Sequence, residues 1–347
     1  MKKKNVINLI KFHAEKNEAA FRQEAYTVAK DFDNDNDHSL AQYIVSLLSD
    51  ANNFCPQFQE EDCLFLKKVE LGKEPLPLPS SIEDSVVGII NAIGHNVGVN
   101  KFLFEGPPGT GKTETVKQIA RILDRDLYAV DFDSIVDSKL GQTSKNISAL
   151  FNELHKIPQP HKIIILFDEI DALAIDRINS NDLREMGRAT SSLLKGFDGL
   201  DSNIVIIATT NLYKAFDKAL IRRFDSVVDF SGYTKSDLVE AAEKILNNLL
   251  AKFKTAGRNI SLFRKILNST DSLPYPGELK NILKTSLAFS DPSYEYDYLK
   301  RIYNSLNKSN NADSLKNIQD KGFTVREIEI LTGVSKSQVS RKLKEIK

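Results

Sequence analysis

Two stretches near the start of the chain, "AAFRQEAYTVAKDF" and "SLAQYIVSLLSDA", carry apolar residues at three- and four-residue spacing, and the polar run "DNDNDH" interrupts them. That spacing predicts amphipathic helices in an all-α region over residues 1–72. In "KEPLPLPSS", Pro75, Pro77 and Pro79 favour an extended segment poor in hydrogen bonds, so residues 73–81 read as a Pro-rich linker. Beyond it the pattern changes. "KFLFEG", "DLYAVDF", "KIIILFDEI", "NIVIIATTN" and "SVVDF" are short, nearly continuous apolar runs separated by helical stretches, as in a parallel sheet covered on both faces. These runs make residues 82–232 an α/β domain. Helical spacing returns over residues 233–308, with Thr234 and Asp237 placed to cap the first helix. The polar hinge "SNNADS" leads into a tail, residues 309–347. There Ile328, Leu331, Val334, Val339 and Leu343 have the spacing of a helix-turn-helix, Gly333 supplies the turn, and Ser335 caps the second helix.

Composition adds limits. The 347 residues are 41% hydrophobic and 27% charged, enough for two or three folding units, and the formal net charge is zero. No overall field therefore draws the molecule to nucleic acid or to a membrane, and any basic patch is local. Asn8 and Lys11 break the opening apolar run before it reaches the length of a signal peptide, and no run approaches the ~18 residues of a membrane span. Cys55 and Cys63 match no metal spacing, so a reducing, cytoplasmic setting is expected. Asp33, Asp35 and Asp37 invite a calcium-loop reading, but His38 stands where glycine is required and Ile44 where glutamate is.

The chemistry concentrates in two motifs. In "FLFEGPPGTGKTETV", residues Gly106, Pro107, Pro108, Gly109, Thr110, Gly111, Lys112 and Thr113 satisfy the phosphate-loop pattern between a predicted strand and a predicted helix. Glycines let backbone N–H groups turn toward phosphates, Lys112 reaches the β- and γ-phosphates of ATP, and the Thr113 hydroxyl suits Mg²⁺. In "IIILFDEID" a buried strand delivers Asp168 as a second metal ligand, and Glu169 is placed to polarise an attacking water.

Together with "KLGQTSKNISALF", "GLDSNIVIIATTN", "ALIRRFD" and "PGELKNIL", these motifs resemble the AAA family of ring-forming ATPases over about residues 82–300. The resemblance implies a P-loop NTPase fold with a five-stranded parallel sheet and a helical lid, ATP and Mg²⁺ as cofactors, and a homo-oligomeric ring, usually a hexamer. It gives Asn211 a sensor role, makes Arg222 and Arg223 fingers that act on a neighbouring subunit's nucleotide, and sets Gly277 near the adenine, with Glu278 where the family usually has alanine. It also implies a protein substrate, or an effector partner of the kind that accompanies small ATPases in phage-defence operons.

Two features leave the substrate open. Lys139, Leu140 and Gly141 align with the pore loop, yet Lys139 replaces the aromatic residue that grips polypeptide, and its ammonium favours an acidic polymer. In the tail, Lys336, Ser337, Gln338, Arg341 and Lys342 would lie on or beside the exposed face of the second helix, suited to phosphates and base edges of DNA. Three-helix protein-docking units share that apolar spacing, and Glu329 occupies a position where close helix approach favours a small residue. The readings are a protein-remodelling ring, with residues 1–72 as an adaptor, or a DNA-associated motor or clamp anchored by the tail.

Overall fold

The computed structural model describes residues 3–15, 17–34, 37–48, 63–72, 78–95, 98–136, 141–157, 159–171, 183–213, 218–253, 255–307 and 315–345. It divides into two compact units: residues 1–63 with 156–158, and residues 64–155 with 159–347. The first contains the helices Lys3–Ala14, Glu18–Asn34 and His38–Leu48. No helix among the described residues is long and apolar enough to cross a membrane.

The second unit is built on a sheet of six strands: β1 (Leu66–Lys68), β2 (Lys101–Glu105), β3 (Asp126–Val130), β4 (Ile163–Phe167), β5 (Val205–Thr210) and β6 (Ser226–Asp229). Their order is β1-β3-β4-β5-β2-β6, and every pairing is parallel except that of β1 with β3. The sheet thus has one strand more than the five expected. Leu66–Lys68 sits in a stretch read as helical, and three residues with a single buried position give too little alternation to announce a strand.

β4 explains the architecture. All five of its residues are buried. Ile164 and Leu166 join Phe102, Phe104, Val116, Ile119 and Ile207 in one cluster, under the helices Ser80–Gly94 and Lys112–Ile122. Phe167 points the other way, into rings of Phe132, Phe151 and Phe197 whose centroids lie 5.6–6.4 Å from its own. Phe151 and Phe197 come from the helices Gln142–His155 and Leu183–Asp198, so helices cover both faces.

The lid follows as helices Lys235–Leu250, Ile260–Ser269, Pro276–Ala288 and Asp297–Leu306. The expected cap is present: Thr234 and Asp237 form a reciprocal capping box. Three short helices, Leu315–Asp320, Val325–Thr332 and Lys336–Glu345, make the tail. Its buried residues Ile318, Phe323, Ile328, Leu331, Val339 and Leu343 belong to the same apolar cluster as Phe263, Leu299, Ile302 and Tyr303 of the lid. Gly333 turns the chain at φ 75°, as its position predicts. Glu329 is the surprise. Its carboxylate accepts from the backbone N–H of Lys336 at 3.0 Å, so it satisfies an orphan donor at the start of the next helix.

Candidate active site

The parallel sheet brings the two motifs together at one end. β5 lies between β2 and β4, with Phe104 beside Thr209 and Phe167 beside Ala208. The phosphate loop after β2, the Asp168–Glu169 turn after β4 and Asn211 after β5 therefore converge. Gly106, Gly109 and Gly111 hold φ values of 141°, 79° and 96°, a backbone course that side chains with a Cβ rarely follow, and the loop feeds directly into the Lys112–Ile122 helix.

Lys112 is buried, and its Nζ donates to the carbonyls of Gly106 at 2.7 Å and Pro107 at 2.9 Å and to Asn211 Oδ1 at 2.8 Å. Burial pushes its pKa down, against the pull of Asp171, Asp168 and Glu169. Asn211 Nδ2 in turn donates to Glu169 Oε1 at 3.4 Å. The Thr113 hydroxyl donates to Asp168 Oδ1 at 2.9 Å, and so does the Thr209 hydroxyl at 2.7 Å. Thr209 Oγ1 also accepts from the Glu169 backbone N–H at 2.8 Å, which helps hold Glu169 at φ 52°. A non-glycine residue in that region costs on the order of 1–3 kcal/mol, and such strain concentrates where a side chain must be aimed.

These groups line a cleft of about 240 Å³, walled by Pro108, Gly109, Gly111, Lys112, Thr113, Asp168, Glu169 and Thr209 on the sheet side and by Pro276, Gly277 and Lys280 from the lid. Lid and loop touch directly. The Gly277 N–H donates to the Gly109 carbonyl at 2.8 Å, and a Cβ on Gly277 would come within 2.9 Å of Gly109 Cα. The Tyr233 hydroxyl donates to the Thr110 carbonyl at 2.7 Å, and burial pushes its phenol pKa up. Thr110 is fully buried, its hydroxyl bonded to the Pro107 carbonyl, so its side chain braces the loop.

Residues 102–232 match the family described as "ATPase family associated with various cellular activities (AAA)". These residues are an AAA ATPase domain. An uncharacterized AAA family ATPase of Sinorhizobium fredii is 40% identical over 131 residues, 38% of each chain. ATPase family gene 2 protein of Saccharomyces cerevisiae is 37% identical over 131 residues, covering 37% of this chain and 16% of the relative. Peroxisomal ATPase PEX6 of Debaryomyces hansenii is 33% identical over 171 residues, 46% of this chain and 14% of its own length. The chain thus spans well under half of the length of each of these relatives. Among solved structures, the FIGL-1 AAA domain superposes with a TM-score of 0.54 at 17% identity, covering 78% of this chain and 96% of its own. A chain of the E. coli MS115-1 HORMA:CdnC:Trip13 complex gives a TM-score of 0.52 at 17% identity over 64% of this chain. Both show the fold.

Of the residues read from sequence, Pro108, Gly109, Gly111, Lys112, Thr113, Asp168, Glu169 and Gly277 line the one cleft, and others lie outside it. Arg222 and Arg223 follow the short Lys218–Ile221 helix and line no part of it. Arg223 forms a two-pronged ion pair with Asp198, both contacts at 2.9 Å. Arg222 is exposed, and its side chain has no hydrogen-bond or ion-pair partner among the described residues. Lys139 and Leu140 lie outside the described residues; Gly141, at φ 78°, leads into the Gln142–His155 helix. Three residues of the site are not singled out from sequence, although Thr209 falls inside "GLDSNIVIIATTN" and Lys280 inside "PGELKNIL". Thr209 is hidden in an apolar strand run, and Tyr233 acts through its hydroxyl on a distant carbonyl. Lys280 could have been found from its place three residues after Gly277, on the same helix face. The donors available to a metal, the Thr113 hydroxyl and the Asp168 carboxylate, are hard oxygens. They fit Mg²⁺, which takes one or two protein oxygens and completes its shell with phosphate and water.

Proposed function

We propose that the chain works as an ATP-hydrolysing ring, most simply of six copies, that remodels or threads a protein substrate delivered by residues 1–72 or by a separate effector partner. The observation that carries this reading is the set Lys112, Glu169, Thr113, Asp168 and Thr209 lining one cleft, with Asn211 hydrogen-bonded to Lys112 and Glu169 and two arginines outside it. Lys112 supplies positive charge to the phosphates, and Glu169 accepts a hydrogen bond from the attacking water and polarises it. Asn211, bonded to both, keeps cation and carboxylate in register. Thr113 and Asp168 would hold Mg²⁺, which when bound neutralises charge on the β- and γ-phosphate oxygens. Arg222, unpaired among the described residues of its own chain, suits a phosphate on a neighbour, and Arg223, fixed by Asp198, orients the turn that presents it. A relative 33% identical over 130 residues is named a putative 26S proteasome regulatory subunit homolog, which supports work on a protein chain.

The test is a set of three variants. Glu169→Gln should bind ATP and lose at least about 100-fold in turnover, as removal of general-base assistance does, whereas Lys112→Ala should lose binding. Arg222→Ala should bind ATP yet hydrolyse it poorly, and mixing it with Lys112→Ala protein should restore part of the activity. Mixed rings that stay inactive would overturn the assignment of Arg222 to a neighbour's site.

A further inference from the structure

We propose that the Lys336–Glu345 helix, with the turn before it, is a docking surface for duplex DNA. Val339 and Leu343 pack inward, so Ser337, Arg341 and Lys344, at i, i+4 and i+7, form the stripe on the opposite side. Arg341 and Lys344 are exposed there, with Gln338 and Lys342 also exposed beside them.

The tail has eight basic and four acidic residues from Leu315 onward, a modest excess in sequence. The structure sharpens it by turning acids inward. Glu327 is engaged by Lys265 at 2.7 Å and by the backbone N–H of Thr324 at 2.7 Å, and Glu329 by the N–H of Lys336. What remains at the surface is Lys316, Arg326, Lys336, Arg341, Lys342 and Lys344 against Asp320 and Glu345. No described residue forms an ion pair with any of those six cations. In a chain of zero net charge this is a local cationic excess at the surface of the tail, and its complement is a polyanion.

A duplex is favoured over a single strand by what the surface lacks and what it has. Its outward stripe carries no aromatic side chain on which unstacked bases could lie. It is a helix that buries Val339 and Leu343 and leaves Ser337, Gln338, Arg341, Lys342 and Lys344 exposed, the polar and cationic surface with which a helix enters a major groove. The neighbouring helix, Val325–Thr332, adds Arg326 for the flanking backbone. This inference does not depend on ATP hydrolysis and can fail or stand without it.

The experiment is fluorescence anisotropy of a fluorescein-labelled, mixed-sequence DNA duplex titrated with the full chain across a salt series. Wild-type protein should bind at low salt, with log K falling linearly in log salt. Arg341→Ala combined with Lys344→Ala should weaken binding about tenfold or more and reduce the slope by about two, one for each lost phosphate contact. Its thermal melting should match wild type, because neither side chain belongs to the buried set. If the double variant melts early, Lys342→Gln alone, read by a slope reduction of about one, carries the test. Absence of wild-type binding at low salt overturns the proposal and leaves the surface to a protein partner. An unchanged salt slope in the variants overturns it too, and so does tighter binding of single-stranded RNA than of duplex.

Discussion

Gly277 and Gly109 meet at a distance that leaves no room for one more carbon. A Cβ at Gly277 would sit 2.9 Å from Gly109 Cα and 3.0 Å from its carbonyl oxygen, backbone atoms that cannot rotate away. Gly277→Ala should therefore push the lid off the phosphate loop and cost about 1–3 kcal/mol of nucleotide affinity, measured by calorimetric titration. Lys280, from the same lid helix, adds a cation to the cleft; Lys280→Ala should raise the KM for ATP several-fold with a smaller effect on kcat, checked by steady-state kinetics. Glu327 ties tail to lid. Burial opposes its charge, but the bonds from Lys265 and Thr324 prevail and hold its carboxyl below the ordinary glutamate value. That stabilisation is present above about pH 4.3 and is lost as pH falls through the lower folded-state value. Glu327→Ala should cost about 1 kcal/mol through the lost cap, with up to about 1 more from the Lys265 pair. It should also flatten acid unfolding followed by circular dichroism. Much at this scale was legible beforehand. The phosphate loop and Asp168–Glu169 announce themselves because their chemistry fixes residue types at fixed spacing. Thr209 does not, since a hydroxyl that latches two neighbours looks like any strand threonine.

At the scale of elements, His155 joins the ends of two helices. Its ring nitrogens face the carbonyls of Phe151, in its own helix, and of Gly199, 2.8 Å away just past the Leu183–Asp198 helix. Two acceptors need two N–H donors, which imidazolium alone provides. The Gly199 and Phe151 carbonyls accordingly raise the histidine's pKa. The helix-to-helix tie is thus complete below about pH 6.5 and is lost as pH rises through the elevated folded value. Wild-type thermal stability should fall between mildly acidic and mildly alkaline pH by more than that of His155→Gln, as a melting series would reveal. Strands and lid helices could be read from period alone because burial on two faces, or on one stripe, writes itself into the apolar pattern. β1 escaped that reading because an edge strand of three residues carries almost no pattern. Glu329 was legible as a misfit and illegible as a cap, since its partner is a backbone N–H seven residues along the chain.

For the AAA-bearing unit as a whole, the decisive feature is that lid and tail share one core. Ile318, Phe323, Ile328, Leu331, Val339 and Leu343 are all buried in the cluster that holds Leu299, Ile302 and Tyr303, and the Tyr303 and Phe323 rings meet edge to face at 6.0 Å. Deleting residues 315–347 should therefore not leave a healthy ATPase, as a separable tail would. It should strip the Asp297–Leu306 helix of its cover and lower hydrogen-exchange protection throughout the lid, and substitutions on the exposed stripe should spare both. The same continuity has a thermodynamic face. The lid's Gly277 touches the loop that cradles phosphate, while the same core that holds Leu279 and Leu283 of its helix also holds Val339 and Leu343 of the exposed helix. If lid position differs with nucleotide, any ligand of that helix that prefers one position must change nucleotide affinity by some factor, and nucleotide must change that ligand's affinity by the identical factor. One buried cluster thereby makes the two surfaces accountable to each other.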